Sequence, residues 1–137
     1  MKKSVGLYWT IGVVLFALLM VACKKEPSDY RCVWVGCYDY NARISTWYPD
    51  HGTTQYQSGN LSVASASDSC VNIMLSDSTR YWLCKVSVDG NLTLVESNSA
   101  MREFEGCFPQ SDSLYIDCAN YGPGTGISWT YYCKKIE

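Results

Sequence analysis

Histidine and paired-cysteine motifs are nearly absent from this sequence: His51 is the single histidine, and no two of the eight cysteines are spaced Cys-x-x-Cys. A zinc site of ordinary ligand spacing therefore has no donor set. His51 falls in the turn-like Pro49-Asp50-His51-Gly52, where a solvated imidazole is favoured over a base for Cys/His catalysis. There is no Gly-x-Ser-x-Gly elbow, and Gly122-Pro123-Gly124-Thr125-Gly126 lacks both the lysine and the following helical pattern of a phosphate-binding loop. Asp39, Asp50, Glu103, Glu105 and Asp117 are open to acid-base hydrolysis, but any soluble surface carries such carboxylates. No catalytic residue, cofactor or metal ligand is assigned on these grounds, and a hydrolase is the least supported function class. Basic stripes are missing too: lysines cluster as Lys24-Lys25 and Lys134-Lys135. Nucleic-acid binding has no cationic surface to rest on.

What the chain does have is an N-terminus in three parts. Lys2 and Lys3 precede an apolar core from Val5 to Met20, which short residues follow at Val21 and Ala22. This is the organisation of a secretory signal, helical over residues 1–22. The uncharged run from Ser4 to Cys23 spans 20 residues, a length that a membrane-crossing helix also satisfies. Its end favours cleavage. Met20-Val21-Ala22-Cys23 resembles the bacterial lipobox, and the resemblance implies that Cys23 receives diacylglycerol and becomes the first residue of the mature protein. Two or three acyl chains at ~0.8 kcal/mol per buried methylene hold a protein stably where one chain does not. Residues 23–30 then form a lipidated polar tether, and residues 31–137 a single domain. The mature part carries nine basic and thirteen acidic residues, a net charge of −4.

Past the tether, turn formers recur about every ten residues, the mark of an all-β chain. Strands are expected over residues 32–41, 60–66, 70–75, 79–88, 92–96, 102–109, 113–118 and 127–134. Their short links favour an antiparallel meander of about eight strands closing into a small barrel or sandwich. In 102–109 the residues Phe104, Gly106 and Phe108 share one face, with Glu103, Glu105 and Cys107 on the other. In 79–88 the competition of Tyr81 and Leu83 with Trp82, Val86 and Val88 leaves the register open.

Seven cysteines follow Cys23, and an exported chain meets an oxidising compartment, so disulfides are expected before metal. If Ser76-Asp77-Ser78 is a three-residue loop, Cys70 opposes Cys84; Cys118 and Cys133 are likewise equidistant from the centre of the glycine-rich loop. Cys32, Cys37 and Cys107 remain, an odd number, with Cys107 on a wet face beside Glu103 and Glu105. Aromatics are abundant, and strand interiors explain most of them. Trp47-Tyr48 lies between the first two expected strands, is least explained by core filling, and is the candidate ligand contact.

The segments VWVGCYDY, KVSVDGNLTLV, FEGCFPQSDSLYIDC and GPGTGISWTYYCKKIE resemble the small, uncharacterised lipoproteins of Bacteroidetes, loosely grouped with lipocalin-like β-barrels. The likeness covers most of the mature chain; Cys37, Cys107 and Cys133 depart from its pattern. It implies a lipid-anchored envelope protein of the outer membrane, on its periplasmic or cell-surface face. Binding of a small apolar ligand, a glycan or an envelope protein is the first functional expectation. A structural or protective lipoprotein, such as an inhibitor or immunity factor without a small ligand, is the alternative. Asp77-Ser78-Thr79 and Asp112-Ser113-Leu114 match the Asp-Ser/Thr pattern of Bacteroidetes O-glycosylation, which makes Ser78 and Ser113 candidate glycan carriers, although Asp-Ser is also a plain turn pair.

Intact-mass analysis of the protein extracted from membranes tests these modifications together. Loss of residues 1–22, a lipid adduct that disappears in Cys23→Ala, and further hexose-sized increments that fall in Ser78→Ala and Ser113→Ala are expected. An unprocessed polypeptide mass would refute the lipobox reading.

Overall fold

The structure, a computed structural model, describes residues 29–67 and 69–136. Cys23, the signal segment and most of the tether lie outside the described residues.

Alternation builds eight antiparallel strands: β1 (Gly36–Trp47), β2 (Gly52–Ser65), β3 (Cys70–Leu75), β4 (Tyr81–Val86), β5 (Asn91–Ser97), β6 (Glu103–Gln110), β7 (Ser113–Gly122) and β8 (Thr125–Lys135). Each pairs with its sequence neighbours, and β1 also pairs with β8, from Tyr38 opposite Lys135 to Trp47 opposite Gly126, so the meander closes into a barrel. The expected all-β architecture is present, in its barrel form and compatible with a lipocalin-like fold.

An eight-stranded ring is just wide enough for side chains to fill. Inward positions bring Tyr38, Tyr40, Leu61, Val71, Ile73, Trp82, Val86, Leu114, Ile116 and Tyr131 together, all nearly inaccessible. Trp82 lies centrally, T-shaped to Tyr131 at 5.5 Å and tilted to Phe104 at 6.5 Å. It settles the register of β4: Trp82, Cys84 and Val86 point in, while Tyr81 and Leu83 are half-exposed. Each large apolar side chain buried this way contributes roughly 1.5–3 kcal/mol before conformational entropy is subtracted.

The two ends of the barrel differ. At the lower end a short 3-10 helix, Tyr30–Val33, is capped by Asp29 and plugs the opening. Trp34 stacks on Phe108 at 5.0 Å, Tyr30 Oη donates to Val86 O at 2.8 Å, and Tyr38 Oη donates to Trp34 O at 2.7 Å. The Arg31 guanidinium holds Asp29 through Nε and Nη2 and reaches the carbonyls of Ala66 and Cys70 with Nη1. Cys32, expected in the first strand, belongs to this helix.

At the upper end the structure corrects the expected strand limits. Residues 42–47 and 52–59 are a regular continuation of β1 and β2, where an irregular connection is expected. They lack apolar alternation because above Ala42 the ribbon rises past the core and buries neither face. Polar cross-strand pairs join it instead: Thr46 Oγ1 lies 2.5 Å from Thr53 Oγ1, and Ser58 Oγ donates to Asn41 Oδ1 at 2.7 Å. The wide loop expected at 122–126 shrinks to Pro123-Gly124, because Gly122 already pairs with Thr125. Gly124, at φ +77°, takes the left-handed position that follows proline in a type II turn.

These loop lengths also correct the cysteine registers. Leu75 N–H donates to Arg80 O, so the β3–β4 loop holds four residues, Ser76 to Thr79. Cys84 consequently faces Val71, and Cys70 faces Lys85, one residue out of direct opposition. Cys118 faces Trp129 and Cys133 faces Leu114. Cys118 and the residue opposite Cys133 are thus four positions apart, about 13 Å at ~3.3 Å per residue, beyond the ~7 Å limit of a disulfide. Cys84, Cys118 and Cys133 are thiols of the barrel interior, and burial pushes each up to about 12. Cys107 lies half-exposed on the outer face, as alternation implies, while Cys32 and Cys37 are exposed.

Alkylation of the native protein at neutral to mildly alkaline pH is therefore expected to modify Cys32 and Cys37 first. Cys84, Cys118 and Cys133 should react only on unfolding. Peptide mapping after a timed iodoacetamide pulse checks this, and a 118–133 link in the non-reduced map would overturn the β7–β8 register.

Candidate functional site

Above the packed interior, polar groups from four elements meet. The β3–β4 loop supplies Asp77, Ser78 and Thr79, with Arg80 at its end; β2 adds Gln57; the β5–β6 connection adds Asn98 and Ser99; and β8 contributes Trp129 and Tyr131. They line a cup of about 330 Å³. The core closes its floor through Leu75 and Tyr131.

Each group is held by a neighbour. Asp77 Oδ2 accepts from Tyr40 Oη at 2.8 Å and from Gln57 Nε2 at 3.0 Å, so a core tyrosine and the ribbon fix the carboxylate from two sides. Arg80 lies 4.4 Å above the centre of the Trp129 ring and donates from Nη1 to Tyr131 Oη at 3.1 Å. Ser78 Oγ accepts from Arg80 N at 3.2 Å, which shapes the loop. Asn98 Oδ1 accepts from Tyr81 N at 3.0 Å while its Nδ2 donates to Thr79 O at 2.5 Å, tying the β5–β6 connection to the β3–β4 loop. The seam between β5 and β6 pairs only at Asn91–Cys107 and Leu92–Gly106, so these strands separate toward the cup.

Fixed donors and acceptors of both signs beside an indole suit a polar ligand that offers several hydroxyls. The interior below offers less. Trp82 Nε1 has no acceptor among the described residues and is walled in by Tyr131 and Phe104.

The ligand-contact candidates read from the sequence, Trp47 and Tyr48, fall elsewhere. Trp47 is on the outer face of β1 with its ring laid over Gly126; a Cβ there would come within 2.0 Å of the indole, so this tryptophan packs on its own sheet. Tyr48 stacks on His51 at 4.9 Å and lines a separate groove at the ribbon tip with Thr46, Asn120 and Ile127. The two adjacent residues do not share a site. Ser78 is exposed on the lip of the cup, whereas Ser113 is half-buried at the lower end, opposite Lys134. Among the described residues no three His, Cys, Asp or Glu side chains gather into a metal-binding group. Asp77, Arg80, Gln57 and Asn98 escaped sequence reasoning, since Asp77 in Ser76-Asp77-Ser78 has the look of plain turn chemistry.

No family model matches this chain, and no curated protein matches it.

The electrostatics of the cup yield a pH dependence. Burial raises Tyr131 to about 12, with Arg80 pulling the other way, and Tyr38 below it is raised to about 12, again mainly by burial. Burial and then the Asp77 hydrogen bond raise Tyr40 as well. Well below pH 9 these phenols and the interior thiols are neutral in both folded and unfolded chains, and their contribution to stability is complete. Between about 9 and 12 the unfolded chain releases protons that the barrel retains, so stability falls as pH rises. Thermal melts by circular dichroism should show a steady drop of Tm across that window. A flat Tm from pH 9 to 11 would contradict it.

Proposed function

We propose that this chain is a lipid-anchored envelope protein of the outer membrane that binds a hydroxyl-rich ligand, an envelope glycan, in the cup at the top of its barrel. The observation that carries this reading is the convergence of Asp77, Gln57, Arg80 and Asn98 beside Trp129 above an interior already filled by side chains. Of the three ligand classes raised by the sequence, a small apolar molecule is the least suited to a polar cup, and a filled barrel offers it no interior berth.

Location rests on the lipobox and on the resemblance to small Bacteroidetes lipoproteins. The direction of the site rests on topology. The chain enters at the plugged lower end through Asp29, and Cys23 is six residues upstream, a reach of roughly 20 Å at full extension. An acyl anchor there holds the lower end toward the membrane and presents the cup outward.

A second reading, a structural or protective lipoprotein that works through a partner protein, has its own support. Tyr115 and Tyr132 lie 5.5 Å apart on the outer face and line an apolar groove of about 530 Å³ with Cys107 and Pro109.

A glycan array followed by calorimetry on the best-bound glycan tests the first reading. Asp77→Asn and Arg80→Ala should each weaken binding roughly tenfold or more, the loss expected when a charged hydrogen-bond partner is removed. Circular dichroism should stay unchanged. Binding that ignores both substitutions would remove the cup from consideration, and silence across the array would favour the partner-protein reading.

A further inference from the structure

The β1–β2 ribbon leaves one backbone edge without a partner strand among the described residues. β3 pairs with β2 only from Leu61 opposite Leu75 to Ser65 opposite Val71, so Gly52 to Asn60 has β1 on one side and no strand on the other. Residues 52–58 are all exposed, and Tyr56 is 80% exposed. Natural sheets blunt such edges with lysine, proline, bulges or inward charges. Gly52-Thr53-Thr54-Gln55-Tyr56-Gln57-Ser58-Gly59 contains no charge and no proline, and its pairing with β1 runs without a bulge.

The direction of the unpaired groups follows from two hydrogen bonds. Tyr48 N–H donates to His51 O across the tip, and Ser76 N–H donates to Asn60 O on the far side of β2. Antiparallel partners alternate between hydrogen-bonded and non-bonded pairs, so residue 60 and every second residue before it point their N–H and C=O away from β1. Thr54, Tyr56 and Ser58 therefore offer a donor and an acceptor each along the edge.

We infer that this edge pairs antiparallel with the same edge of a second copy of the chain, about a two-fold axis at Tyr56. The sequence around that residue reads the same by side-chain type in both directions: hydroxyl, amide, aromatic, amide, hydroxyl, over Thr54, Gln55, Tyr56, Gln57 and Ser58. With the axis at Tyr56, that residue meets itself, Thr54 meets Ser58 and Gln55 meets Gln57 across the interface, each like with like. The three outward-pointing positions exchange about six backbone hydrogen bonds with the partner copy. Paired Tyr56 rings add an aromatic contact on the outer face. The sheet becomes continuous from one barrel to the next, and both cups stay open because the pairing consumes only an edge. A ribbon of this length is small against the ~1,600 Å² of a standard interface, so the dimer forms reversibly and with concentration.

Cysteine scanning of the full chain in native membranes tests the register, in a Cys32→Ser/Cys37→Ser background with copper phenanthroline as oxidant of the paired thiols. Tyr56→Cys should give a doubled-mass, dithiothreitol-reversible band. Thr54→Cys or Ser58→Cys alone should give several-fold less, and the two together should restore the band. Adding Thr54→Pro to Tyr56→Cys should also reduce it several-fold, because the N–H lost is the edge donor and not a rung to β1. Circular dichroism verifies folding; if the proline variant unfolds, the cysteine series decides alone. Equal bands at 54, 56 and 58 would mean collision without register, an adduct of foreign mass would mean a different partner, and no band at 56 would mean none of this kind. Each of these overturns the proposal.

Discussion

The pairing of β1 with β8 is the contact on which the remaining structure depends. Without it the meander would be an open sheet with two long edges and an apolar face bare to water. With it, the ring is fixed at a width that only side chains fill, and aromatic inward positions become a necessity of volume. Tyr38, Tyr40 and Ala42 from β1 and Tyr131 and Cys133 from β8 sit side by side along this seam, all buried. Tyr40 and Tyr131 meet edge to face at 5.4 Å and carry the packed core up to the cup. Their hydroxyls then hold Asp77 and Arg80 at its rim. Closure, core and cup are one continuous arrangement, in which the polar tips of core tyrosines are the lowest layer of the cup.

Strand identity was legible wherever one face is buried. Phe104, Gly106 and Phe108 against Glu103, Glu105 and Cys107 gave β6 its sidedness, and Leu114, Ile116 and Cys118 did so for β7. The turn residues marked most strand limits. The upper halves of β1 and β2 were illegible for the same physical reason, since a ribbon with no buried face carries no alternation to read. Register was harder. A four-residue β3–β4 loop in place of three moves Cys84 from Cys70 to Val71, and a two-residue β7–β8 turn moves Cys133 from Cys118 to Leu114. Loop length is decided by hydrogen bonds such as Arg80 N to Ser78 Oγ, which composition does not reveal. The cup was hidden because residues 57, 77, 80, 98 and 129 are distant in sequence, and only closure brings them together.

The barrel is also uneven along its axis. The lower end gathers the Arg31 contacts to the Ala66 and Cys70 carbonyls, the Tyr30–Val86 hydrogen bond and the Trp34–Phe108 stack, each linking the chain start to residues far along the sequence. The upper end consists of hairpin tips, the unpaired continuation of β5 and β6, and a ribbon that β8 flanks along β1 but no strand flanks along β2. Local opening is cheapest where buried contacts are fewest.

Both ends of the described chain leave the barrel at the plugged side: Asp29 caps the helix there, and Ile136 N–H donates to Cys37 O beside it. Every connection at the opposite side is a reversal between two strands. Length and composition can change in any of those reversals without disturbing how the polypeptide starts, finishes or closes. The molecule is accordingly divided into a socket that sets closure and a crown of hairpin tips whose length and composition are open to change.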